Sequence, residues 1–169
     1  MNSKTKSSIL HILTGSLLLE LYIFAESIPG WIIGLFGCYI LYIGYQKLSI
    51  PGEHLWNKGV GMLITSFYVL LFSIFIDIIP LLGFLATLGS LVAFGLKMYS
   101  ITLLKKSEVV SITISSGLSL VLFGLSFAFT ASLFNLIPFF GDYISSYLLI
   151  GYFICYTLGW MKVFDGLGS

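Results

Sequence analysis

The sequence predicts an all-α, polytopic membrane protein of six transmembrane helices, arranged as three pseudo-repeated hairpins in a single domain. Three observations predict it. Hydrophobic residues make up 58% of the 169-residue chain and charged residues only 9%, against roughly a quarter charged in an ordinary soluble domain. The apolar residues gather into six runs separated by short polar gaps. All eight basic residues are lysines, and every one falls at an even-numbered gap or outside the first and last runs.

The first run, Ser8–Ala25, follows Lys4 and Lys6. Ala25-Glu26-Ser27 resembles a small-residue cleavage site. Glu20 interrupts the apolar stretch, however, and cleavage would remove half of a repeat unit, so the run is read as a retained span. The second, Trp31–Gln46, ends at Lys47, and the loop Ser49–Lys58 leads to the third, Gly59–Ile79. The fourth, Leu81–Leu96, runs into Lys97, Lys105 and Lys106. The fifth, Val109–Leu136, is the longest, and the sixth, Tyr143–Met161, is closed by Lys162. The remaining gaps hold only Glu26, Asp77 and Asp142. Lysine excess marks cytoplasmic loops, so both termini are expected on the cytoplasmic side of the cell membrane.

A repeat organises the runs. Glu26-Ser27-Ile28-Pro29, Asp77-Ile78-Ile79-Pro80 and Asn135-Leu136-Ile137-Pro138 share an acidic or amide residue, any residue, Ile and Pro. Pro29, Pro80 and Pro138 are expected at hairpin turns. Proline suits the first turn of a helix and pushes the preceding residue out of the helical region. The hairpins are expected over about 8–50, 59–106 and 109–164. The offset between the first two copies also superposes Gly44 on Gly95 and Ser49 on Ser100, and it places Lys97 against Gln46, at the inner membrane interface. The shorter runs, sixteen residues at about 1.5 Å each, fall just under the usual hydrocarbon thickness.

Helix packing is expected from small residues at helical spacing. Gly30, Gly34, Gly37 and Gly44 form one stripe. Gly83, Ala86, Ser90 and Ala93 form a second, and Gly124, Ala128 and Ser132 a third. In lipid such stripes let backbones approach, either within one bundle or at the face of a homo-oligomer or membrane-protein partner. Trp31, Trp56, Tyr99, Tyr143 and Trp160 lie near span ends, where an aromatic belt is expected.

Chemistry inside the membrane points first to Glu20. An ionised carboxylate near mid-bilayer costs about 2.5–3.5 kcal/mol on insertion scales. Such a residue is either held by a structural hydrogen bond or serves as an intramembrane proton or ion site. The fifth run is rich in hydroxyls, and Ser115, Ser116 and Ser119 could line a polar path or bond back to their own helix. Glu53-His54 is a lone acid–imidazole pair in a short loop, read as solvated. Cys38 and Cys155 lie inside apolar runs with no CxxC or histidine nearby, so no metal or other cofactor is expected. No HExxH, G-x-S-x-G or P-loop is present, and the chain is read as a non-enzyme. A net charge of +1 offers no electrostatic footprint for nucleic acid. The partner expected throughout is the lipid bilayer.

Gly-Tyr-Gln-Lys-Leu-Ser at 44–49 and Ile-Pro-Leu-Leu-Gly-Phe at 79–84 resemble units of small bacterial and archaeal multi-pass families of unknown function. The plan of three proline-turned hairpins is similar to that of the acid-resistance membrane protein family. The resemblance implies the fold and transfers no active site. Two functions are therefore expected: a structural, stress-related or accessory membrane component, or alternatively a small channel or proton-linked transporter using Glu20.

Overall fold

A computed structural model of the chain describes residues 3–25, 28–77, 82–137 and 141–166, with side chains except those of 3, 4, 20–31, 77 and 142. Among the described residues lie six helices: α1 Ser3–Ala25, α2 Ile28–Lys47, α3 His54–Asp77, α4 Gly83–Lys105, α5 Ile112–Phe134 and α6 Gly141–Gly166. The all-helical expectation therefore holds. Four helices, α3 to α6, are long and apolar enough to cross a membrane, over His54–Ile76, Gly83–Lys105, Ile112–Phe134 and Tyr143–Gly166. The helices run 20 to 26 residues, or about 30–39 Å, so the shortfall expected from sixteen-residue runs does not arise.

In α4 the difference comes from the lysine-side end. α4 continues to Lys105 because its last turns have a partner: Ser100, Ile101 and Leu104 are fully buried, and Ser100 Oγ donates to the Gly59 carbonyl of α3 at 2.6 Å. α3 likewise begins at His54, ahead of Gly59. The loop before it is closed by Asn57, whose Oδ1 accepts from Ser49 Oγ and Ile50 N–H, both at 2.9 Å, while its Nδ2 donates to the Ile50 carbonyl at 2.7 Å. Gly52, at φ +87°, supplies the left-handed residue that this turn needs. α5 is capped by Ser111, whose side chain accepts from Ile114 N–H, satisfying one of the orphan donors of the first turn.

Contacts are densest within α1–α2, α3–α4 and α5–α6, and sparser between α4 and α5, α6 and α1, and α2 and α3. Each helix thus touches two neighbours, and the six close into a ring. Each dense pair is antiparallel. A Cβ on Gly15 would meet the Gly37 carbonyl at 2.8 Å, and one on Gly117 the Gly159 carbonyl at 2.7 Å. At these crossings backbones touch directly, the arrangement small residues permit where no hydrophobic force drives helices together.

The ring is packed unevenly along its axis. On the lysine side, Ile9, Ile12, Leu48, Trp56, Leu104, Leu118, Trp160 and Val163 are all almost wholly buried. Trp56 Nε1–H donates to the Leu48 carbonyl at 2.7 Å. The two tryptophans therefore sit within the bundle rather than in the expected lipid-facing belt, while Tyr99 and Tyr143 remain exposed. The outer faces carry Phe36, Phe72, Phe84, Phe123 and Ile154, all exposed, as lipid contact requires. Toward the proline side the interior opens.

A central chamber with a buried lysine

The opening is a chamber of about 340 Å³ to which all six helices contribute wall. Ser16 and Leu19 come from α1 and Leu41 from α2. α3 supplies Leu70, Ser73 and Ile74, and α4 supplies Ala86, Thr87, Ser90, Phe94 and Lys97. Ala131, Ser132 and Asn135 lie at the end of α5, and Leu149, Tyr152 and Tyr156 come from α6. The volume falls in the range of small-molecule pockets. Asn135 is exposed at the C-cap of α5, so the chamber reaches the proline-side surface. The opposite end is floored by Tyr156, whose hydroxyl lies 3.1 Å from that of Tyr45. Below them is the packed lysine-side core.

Lys97 is the charged residue of this wall among the described residues. Only 3% of it is exposed, and it sits eight residues, about 12 Å, inside the end of α4. This corrects the expectation that it marks the interface. The helix extends past it because residues 100–104 pack on α3, and that carries the lysine inward. Its ammonium lies 5.4 Å from the centre of the Phe94 ring, within cation–π range.

Hydroxyls in the wall divide into two kinds. Ser73, Thr87 and Ser132 donate to the carbonyls of Val69, Gly83 and Ala128 on their own helices, at 2.8, 3.1 and 3.0 Å. Their protons are committed, and only lone pairs face the chamber. Ser16 and Ser90 make no hydrogen bond among the described residues and keep a proton to donate. On α4, Ser90, Phe94 and Lys97 form one stripe at steps of four and three.

The sequence-derived candidates scatter about this chamber. Glu20 lies in α1, one helical turn beyond Ser16, but its side chain is outside the described residues, as is that of Pro29, the second residue of α2. Gly30 lies in the same segment, and Pro80 and Pro138 are outside the described residues entirely. Ser115, Ser116 and Ser119 are half-buried in the first half of α5 and are not part of the chamber wall; Ser119 Oγ donates to the Ser115 carbonyl at 2.8 Å.

Among the glycines, Gly37 and Gly44 press on α1, and Gly124 presses on α6, where an added Cβ would meet Tyr156 N at 2.9 Å. Gly34 lines a smaller side pocket, and Gly83 is half-buried at the start of α4. Of the stripe Gly83, Ala86, Ser90 and Ala93, only Ala86 and Ser90 line the chamber, and Ala93 is fully buried. Glu53 and Ser107 join the two lysine-side loops, with Ser107 Oγ donating to Glu53 Oε2 at 3.3 Å. Among the described residues no group of three potential ligands could hold a metal.

Sequence reasoning missed Lys97 as a chamber residue, and with it Ser16 and Ser90. Ser90 is expected from sequence in a packing stripe with Gly83, Ala86 and Ala93, and Lys97 at the interface. Comparison with protein-family models, curated proteins and solved structures gave no significant match.

Proposed function

We propose that this is a non-catalytic, multi-pass protein of the cell membrane, with six spans in three pseudo-repeated hairpins and both termini cytoplasmic, that binds and passes a small solute through its central chamber. The repeat is supported by helix register: α3 and α5 begin at residues 54 and 112, 58 residues apart, the same spacing that separates Pro80 and Pro138.

The observation that carries the functional reading is the placement of Lys97. A lysine within a membrane bundle is costly and as a rule marks a ligand or ion path. Here it borders a space large enough for a small molecule. Glu20, one turn beyond the chamber residue Ser16, is the group through which proton coupling would run.

The test is flux of protons, chloride and small monocarboxylates in liposomes carrying wild type, Lys97→Met or Glu20→Gln. Flux that falls at least about tenfold in Lys97→Met supports the chamber as the path. Flux retained in that variant but no longer driven by a proton gradient in Glu20→Gln assigns coupling to the carboxylate. Tight vesicles in every case, with folded protein shown by a cooperative melt, overturn the transport reading and favour an accessory component with a membrane-protein partner.

A further inference from the structure

The three hairpins are internally tight and unequally joined. Each described glycine whose added Cβ would press on another helix has its nearest contact within its own hairpin. Gly15 and Gly44 do so across α1–α2, Gly59 and Gly89 across α3–α4, and Gly117 and Gly124 across α5–α6. Two buried serines bond across the same crossings, Ser8 Oγ donating to the Gly44 carbonyl at 2.7 Å and Ser100 Oγ to that of Gly59 at 2.6 Å. Backbones in direct contact do not slide, so each hairpin moves as a unit.

Between hairpins the joints differ. Among the described residues, α4 packs on α5 more closely than α1 on α6 or α2 on α3. The Phe94 ring of α4 also meets that of Tyr152 on α6, at 6.1 Å. Helices α3 to α6 therefore form one four-helix body, and the α1–α2 hairpin is sparsely held on both flanks. At the α3 flank the chain itself is tied down: Trp56 donates to the Leu48 carbonyl, Asn57 closes residues 49–50, and Tyr42 lies against the Phe67 and Tyr68 rings at 5.9 and 5.8 Å. At the α6 flank the helices are not consecutive. There the Tyr45–Tyr156 hydroxyl pair and Lys6 on the Phe164 ring bridge the gap. One flank is built as a pivot and the other as a latch.

Room to move lies on the proline side of the latch. There α2 borders two spaces, the chamber at Leu41 and a side pocket of about 140 Å³ at Gly34, Leu35 and Cys38. We propose that the α1–α2 hairpin is a rocking arm. It pivots on the 48–57 corner, parts Tyr45 from Tyr156 and Lys6 from Phe164, and closes onto both spaces as the lysine side opens. Resting on the passage proposed above, this movement exchanges one access to the chamber for the other, as rocking of one bundle against another does in transporters.

Spin-label pairs in lipid nanodiscs, on a background of Cys38→Ala and Cys155→Ala, test it by pulsed distance measurement. Lys47→Cys with Lys162→Cys spans arm and body on the lysine side, Ile32→Cys with Tyr143→Cys spans them on the proline side, and Lys105→Cys with Lys162→Cys lies within the body; all these positions are exposed. The first pair should show a second, longer component and the second a shorter one, while the third keeps one distance. Tyr45→Phe, which removes the latch bond and little else, should enlarge the longer component about fivefold relative to the closed one.

One unchanged distance for the first pair, with and without Tyr45→Phe, would overturn the arm. So would a within-body distance that broadens alongside it, or a proline-side distance that lengthens, since the first is breathing of the whole ring and the second detachment. Flux without movement would also sink the arm and leave the transport reading standing. Movement in vesicles that stay tight would support the arm and remove only the transport reading.

Discussion

The hydroxyls of Tyr45 on α2 and Tyr156 on α6 meet at 3.1 Å across the middle of the ring, although the two helices are not neighbours in it. They close the lysine-side end of the chamber. A buried hydroxyl pair of this kind contributes about 1 kcal/mol. Tyr45→Phe and Tyr156→Phe should each lower stability by about that amount, and the double variant by little more than either alone. Thermal melts in detergent of the four proteins, read as a double-mutant cycle, check it; strict additivity would mean the pair does not act as a unit.

The two buried tryptophans should respond differently to the same change. Trp56 donates to the Leu48 carbonyl, whereas Trp160 Nε1 has no hydrogen-bond partner among the described residues. Trp56→Phe leaves an acceptor unsatisfied, a cost of about 1–3 kcal/mol beyond lost packing. Trp160→Phe removes a donor that is already unsatisfied. Melting temperatures should therefore fall more for Trp56→Phe; the reverse order would contradict the assigned hydrogen bond.

Glycines at helix crossings should separate cleanly from those on open faces. Gly117→Ala and Gly159→Ala place a methyl against backbone of the partner helix and should cost about 1–3 kcal/mol through overpacking. Gly61 and Gly95 have nothing within 4 Å of an added Cβ. Alanine there should be neutral or stabilising by up to about 1 kcal/mol. Chemical unfolding in mild detergent, comparing the two pairs, is the measurement.

Topology has a direct readout. Cysteines introduced at Lys105 and Tyr143, on a background lacking Cys38 and Cys155, should react with a membrane-impermeant maleimide from opposite sides of the cell membrane. Lys105→Cys is expected to label only after permeabilisation and Tyr143→Cys without it. Labelling of both from outside would remove the assignment of the lysine side to the cytoplasm.

The helices and their hairpin pairing were legible because hydropathy and proline spacing are local signals. Each run could be located from its own residues, but its lysine-side end could not, since α3 begins at His54 and α4 continues to Lys105. The interior was not legible, because it depends on which side of each helix meets its neighbours. Ala86 and Ser90 show the difficulty. Small residues at a four-residue step fit a helix contact and a chamber wall equally well, and only the ring decides between them. Gly44 and Gly95 make the same point. The offset superposes them, yet Gly44 is pressed on Ile12 while Gly95 meets open space. Lys97 was misread because sequence offset carried over the depth of Gln46, and no linear pattern reveals that α3 supports two further turns of α4.

The ring closes where Lys6 on α1 meets the Phe164 ring on α6 at 5.6 Å, joining its two most distant helices in sequence. Helices adjacent in sequence can pair as soon as both are made, but this joint must wait for α6. During synthesis, then, the wall stays incomplete and Lys97 lacks a finished enclosure until α6 arrives. A chain stopped before α6 would lack Leu149, Tyr152 and Tyr156, and with them one side of the chamber.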